Sequence, residues 1–158
     1  MGSPVRVMLV GCGEWAKTSH LPVIQRMQGQ VALTHVVELE SRIDRARDTI
    51  SSMGIPQWPV KFIGAQPGII PFDKMPAAGE VDACIVATIS EQHLPYLNWS
   101  LSNGLHTLAD KPLTFHANAS TVPENAALIA KDYDDLLSLA GQNEDREGCC
   151  FRISCDFR

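Results

Sequence analysis

Gly11, Gly13 and Ala16 stand at Gly-x-Gly-x-x-Ala spacing in GCGEWA, directly after the apolar run VRVMLV. A first glycine turns the chain sharply, a second lets a bulky anion approach the backbone, and a small third residue lets a helix pack closely on the preceding strand. Unpaired N–H groups at the start of that helix are ready partners for phosphate. The same residues also suit a tight strand-to-helix turn that binds nothing. Glu38 favours the first reading, because a carboxylate about 20 to 25 residues further on can accept hydrogen bonds from ribose hydroxyls; on its own it is also an ordinary solvated residue at a strand end. Loop and acid together describe a dinucleotide site. Arg42 or Arg45 would instead attract a 2'-phosphate, so the preference for NAD over NADP is slight.

Two further stretches carry chemistry. VATISEQH places Ala87, Thr88, Ser90 and His93 at the end of a strongly apolar run, and ligands of open α/β sheets bind at the carboxyl ends of strands. Ser90 is equally a helix cap and His93 a satisfied surface histidine. ADKPL sets Asp110, Lys111 and Pro112 after the next short apolar run. A lysine there can orient a nicotinamide or a substrate hydroxyl, with proline fixing the turn, although a loop lysine is more often only solvated. Trp15 reads as a packing residue and Cys12 as a small filler.

These residues need elements to position them. Residues 5–10 form a short β-branched run suited to a buried strand, and 15–27 follow with helical spacing interrupted by Pro22, which requires a kink or a restart. A second strand is expected over 31–37 with Glu38 at its end, then a charged helix over 41–53 stopped by Gly54 and Pro56. Between 55 and 80, prolines and glycines break the pattern, leaving one short possible strand at 60–63 and otherwise irregular chain, a lid or an insertion. Residues 81–88 read as a buried strand; Leu94, Leu97 and Leu101 mark a helix face ended by Gly104; 105–109 give a fifth strand. Ala126, Ile129, Ala130, Tyr133, Leu136, Leu137 and Ala140 recur at helical spacing. Phe151, Ile153, Cys155 and Phe157 alternate with polar residues, as in a strand with one dry face that must find a sheet to cover it. Alternating strands and helices imply an α/β domain with a parallel sheet.

Composition narrows the function classes. With 158 residues, 45% hydrophobic and 20% charged, the chain has room for one domain with a full core. Thirteen basic residues against eighteen acidic ones give a net charge of -5, without the basic stripe that nucleic acid requires. No apolar stretch approaches the roughly 20 residues that span a bilayer, and no signal peptide is evident, so a cytoplasmic protein is expected. Five cysteines without paired ligand spacing read as reduced thiols, and no metal site is expected.

Taken in order, VMLVGCGEWAKTSHLPVI, VVELES, VDACIVATISEQH and GLHTLADKPLT resemble the nucleotide-binding half of the glucose-fructose oxidoreductase, inositol dehydrogenase and MocA family. Asp110-Lys111-Pro112 is similar to that family's Glu-Lys-Pro signature, with aspartate in place of glutamate. The resemblance implies a Rossmann-type, doubly wound parallel sheet over residues 1–148, with 149–158 beginning a substrate domain that the 158-residue chain does not continue. It implies cofactor contacts from Gly11, Gly13, Glu14, Trp15, Glu38, Ala87, Thr88, His93, Lys111 and Pro112, Lys111 being the candidate catalytic residue. The implied reaction is hydride transfer between NAD or NADP and a carbinol of a sugar or cyclitol, by a longer protein of which this chain alone is poor or inactive at turnover. A stand-alone module sensing the NAD redox state, or a scaffold that has lost its ligand, are the competing readings. A homo-oligomer is compatible with each.

Overall fold

The computed structural model describes residues 2–55, 59–77, 79–147 and 150–154. Six strands, β1 (Val5–Val10), β2 (Val31–Leu39), β3 (Lys61–Ala65), β4 (Ala83–Val86), β5 (His106–Asp110) and β6 (Phe151–Ser154), form one sheet in the order β3-β2-β1-β4-β5-β6. Every neighbouring pair is parallel. The order reverses between β1 and β4, the point where crossovers leave for opposite faces and a crevice opens at the carboxyl ends.

Helices α1 (Leu21–Arg26), α2 (Ile43–Ser52), α3 (His93–Ser102) and α4 (Pro123–Glu147) supply the crossovers. One core packs Leu21, Ile24, Ala46 and Ile50 on Leu9, Leu33 and Val36; the other packs Tyr96, Leu97, Leu101 and Leu136 on Met8, Val10, Val37 and Val86. Residues 8, 9 and 10 thus alternate between the two cores, as the pleat of a strand buried on both faces requires. Each fully buried leucine contributes about 1.5–3 kcal/mol, and Leu9, Leu21, Leu97, Leu101 and Leu136 all reach that state.

Leu33 and Val36 share a face although three residues apart, which an unbroken strand forbids. The register between β1 and β2 slips between Val7 and Met8, whose partners are Leu33 and His35. The extra residue, Thr34, changes the phase. Because of it Glu38, two residues after Val36, turns to the side of the glycine loop.

Several expectations shift. Pro22 is absorbed by a π-helical turn, Ala16–His20, in which Leu21 N–H donates to Ala16 O five residues back; α1 then restarts with the proline in its first turn. The second strand runs two residues beyond 37 and contains Glu38, while the strand expected over 81–88 is only Ala83–Val86. The short strand expected at 60–63 within the 55–80 segment is β3, shifted to Lys61–Ala65 at one edge of the sheet, and the rest of the segment adds a short 3-10 turn at Phe72–Lys74. In α3 the buried stripe is His93, Tyr96, Leu97, Ser100 and Leu101, with Leu94 half-buried at its flank. In α4, Ile129, Tyr133, Leu136 and Ala140 face inward, whereas Ala126, Ala130 and Leu137 are exposed; at 100° per residue these three lie on the flank of the stripe. The last strand finds its sheet beside β5, Thr107 pairing with Phe151 and Asp110 with Ser154. Residues 151–154 are therefore continuous with the nucleotide-type sheet; Cys155 and Phe157 lie outside the described residues.

Candidate functional site

Gly11 is the pivot where β1 leaves the sheet. Its N–H donates to Val37 O at 2.8 Å, and Ala87 N–H donates to Val10 O at 2.8 Å, so the turn is anchored to β2 and to the residue after β4. Its φ is +90°, and a Cβ there would lie 2.6 Å from Ala87 O. Glycine alone fits. Gly13 differs: no heavy atom comes within 4 Å of where its Cβ would stand. Its carbonyl accepts from Lys17 N–H at 3.1 Å as the helical run begins, and Ala16, fully buried, lets that run sit against the sheet.

Glu38 closes the loop from the other side. One carboxylate oxygen accepts from Cys12 N–H at 2.8 Å and the other from Leu39 N–H at 2.7 Å. Each oxygen keeps a lone pair for another donor. Burial and the Glu38 charge push the Cys12 thiol up to about 11, so it stays protonated and unreactive at neutral pH, as a filler should.

Gly11, Gly13, Glu38 and Thr88 line one cavity of about 210 Å³ at the carboxyl ends of the strands. Much of its remaining wall comes from residues that sequence reasoning passed over: the loop after β3 (Gln66, Pro67, Gly68, Ile69), then Ile89, Gln92 and Tyr96. Pro67-Gly68, a turn dipeptide just beyond a strand, was the available signal. Burial foremost, with the Glu38 charge, pushes the Tyr96 phenol up to about 12, so the residue contributes a neutral side chain to the wall. Arg42 lines the same cavity, whereas Arg45 is turned to Glu14 at 3.2 Å.

The other expected site residues stand around this cavity rather than in its wall. Ala87 is buried behind Gly11. Glu14 and Trp15 are exposed at the start of the helical run after the loop, Glu14 also reaching Lys17 at 3.2 Å. His93 is 1% exposed and bonded to backbone carbonyls. Lys111 and Pro112, joined by a cis peptide, are exposed beyond β5. Among the described residues no cluster of three metal-ligating side chains occurs.

A glycine whose missing side chain leaves open space, next to one that touches a neighbouring strand, fits a phosphate group lying on the loop backbone. A family model described as an oxidoreductase family with an NAD-binding Rossmann fold (Gfo/Idh/MocA) matches residues 5–137. The chain belongs to this family. It is thus an NAD(P)-binding domain of the Gfo/Idh/MocA oxidoreductases, with the glycine loop, Glu38, Thr88 and the Asp110-Lys111-Pro112 turn all inside the matched span.

Solved structures agree on the fold. Scyllo-inositol dehydrogenase from Lactobacillus casei, with bound NAD(H) and scyllo-inositol, is 17% identical with a TM-score of 0.66, over 96% of this chain and 36% of its own. A 3-ketoreductase from Actinomadura kijaniata, in complex with TDP-benzene and NADP, is 21% identical with a TM-score of 0.64, over 96% of this chain and 37% of its own. The chain thus spans little more than a third of the length of these structures. No curated protein sequence matches it. Among the described residues no helix is long and apolar enough to cross a membrane.

Proposed function

We propose that the chain is the cofactor-binding part of an oxidoreductase that moves hydride between a nicotinamide and a carbinol carbon of a sugar-like or cyclitol-like substrate. One observation carries this reading: the glycine loop and Glu38 converge on a single cavity at the point where the strand order reverses. The loop backbone at Gly11 and Gly13 receives the pyrophosphate, and the remaining lone pairs of Glu38 accept the adenosine ribose hydroxyls. Glu38 also puts a negative charge where NADP carries its 2'-phosphate, which favours NAD; Arg42, in the same wall, moderates that preference.

The bound nicotinamide supplies the hydride chemistry. Lys111, on the rim beyond β5, orients the reacting oxygen by donating a hydrogen bond to it. A second domain, beyond the six-stranded sheet, completes the substrate site, a reading supported by the length of the related structures, of which this chain covers 36% and 37%. Without it the chain binds cofactor but turns over poorly.

Calorimetric titration of the chain with NAD, NADH, NADP and NADPH tests this directly. Saturable binding is expected, tighter for the NAD pair, and weakened about tenfold or more by Glu38→Ala, the equivalent of about 1.4 kcal/mol. A folded sample indifferent to all four nucleotides would refute the reading. Sugar oxidation by this chain alone at ordinary dehydrogenase rates would refute the need for a second domain.

A further inference from the structure

Two buried histidines grip the residues on either side of Lys111. On one side His20, the last residue of the π-helical turn, places Nε2 2.9 Å from Asp110 Oδ1. Both side chains are nearly enclosed, at 8% and 10% exposure. On the other side His93, the first residue of α3, places Nδ1 2.7 Å from Pro112 O and Nε2 2.9 Å from Thr88 O. Carbonyls only accept, so the ring does the donating, through one nitrogen in either neutral tautomer and through both in the imidazolium.

These contacts are not local turn bonds, since His20 and Asp110 are separated by 90 residues and His93 and Pro112 by 19. They also come from opposite layers. His20 precedes α1, which packs on one face of the sheet, and His93 opens α3, which packs on the other. The residue before Lys111 is thus tied through its side chain to the glycine-loop helix, and the backbone leaving Lys111 is tied to α3 and to Thr88. Thr88 itself lines the cavity. Buried polar groups that satisfy one another in this way rigidify what they hold, and a long lysine stem gains a defined position only when its Cα is fixed.

We propose that His20 and His93 are positioning residues that together fix the location of the Lys111 ammonium on the sheet rim, and that His93, through Thr88, keys that location to the wall of the dinucleotide cavity. The importance of the location rests on the function proposed above; the clamp itself does not. Neither histidine touches the reacting atoms.

Lysine methyl groups added by reductive methylation, with 13C-formaldehyde and a borane reductant, give one NMR signal per residue, and Lys111→Arg identifies the signal of Lys111. His20→Leu and His93→Leu are expected to shift and broaden the Lys111 signal while those of Lys61, Lys74 and Lys131 stay in place. His93→Gln, whose amide reaches one carbonyl at a time, is expected to restore it in part. Should a leucine variant fail to fold, the glutamine variants of both positions take its place, with a smaller shift expected. A Lys111 signal unmoved in folded variants, or one that moves only together with every other lysine, would overturn the proposal. Titration of the parent chain with NAD keeps the two readings apart. Absent binding with a responsive Lys111 removes the proposed function and leaves the clamp; binding with an unresponsive Lys111 does the reverse.

Discussion

Gly11 and Gly13 are two residues apart and obey different constraints. At Gly11 an alanine would adopt a φ of +90° and press its Cβ to 2.6 Å from Ala87 O. The backbone strain alone costs about 1–3 kcal/mol, and the clash with β4's continuation adds to it. At Gly13 the added methyl would meet nothing within 4 Å, so Gly13→Ala should keep its stability within about 0.5 kcal/mol while losing most of its NAD affinity to the filled cradle. Denaturant unfolding and calorimetry on both variants separate the effects. Equal losses of stability would contradict the geometry. The sequence shows these glycines as a pair and names their chemistry through Glu38, because residue type and spacing are what it records. The motif assigns the turn to the first glycine and the anion's approach to the second; what the sequence does not show is the neighbour that enforces the first role, Ala87, 76 positions away.

Elements were legible where a regular period governs them and obscured where a single residue breaks the period. The alternating strands and the α3 and α4 stripes follow from spacing; the π turn at Pro22 and the extra residue at Thr34 do not, yet they aim His20 and Glu38. The loop after β3 stayed unread because its cavity-lining atoms come from a proline-glycine turn without periodicity. The segment following Pro112 is another such loop, tied to α4 by Asp132, which accepts from Thr114 Oγ1 at 2.6 Å and lies 2.7 Å from His116 Nε2. Burial pushes the Asp132 carboxyl up, but these hydrogen bonds and the His116 charge outweigh it and hold it below its ordinary 3.8. A depressed carboxylate stabilises the fold fully above the ordinary value and loses that contribution as pH falls through the folded one. Asp132→Ala should therefore cost about 1–3 kcal/mol at neutral pH, where Thr114, 3% exposed, is left without its acceptor. The gap to the parent should narrow near pH 3. A gap independent of pH would mean that the carboxylate charge contributes nothing.

At the scale of the whole molecule, alternation of strands and helices implies a parallel sheet, but not that residues 151–154 complete it as the sixth strand beside β5. Pairing across the sheet is a long-range choice, and a four-residue strand carries too little pattern to declare its partner. The completed sheet has two cores on opposite faces and one cavity at the seam where its order reverses, and the walls of that cavity come from β1, β2, β3 and β4, the segments that follow them, and Tyr96 of α3. Unfolding of either core would dismantle the cavity. A dinucleotide that binds there therefore binds the folded chain alone, and mass action must raise stability, by about 2.7 kcal/mol at a ligand concentration one hundred times the dissociation constant. For a domain of this size each kcal/mol moves the melting midpoint by about 2–4 °C, so saturating NAD should raise it by roughly 5–10 °C. The same addition to Gly13→Ala should raise it far less. A rise of equal size in that variant would place the nucleotide somewhere other than the glycine loop, and the rim geometry of Glu38, Thr88 and Lys111 would then need another ligand to explain it.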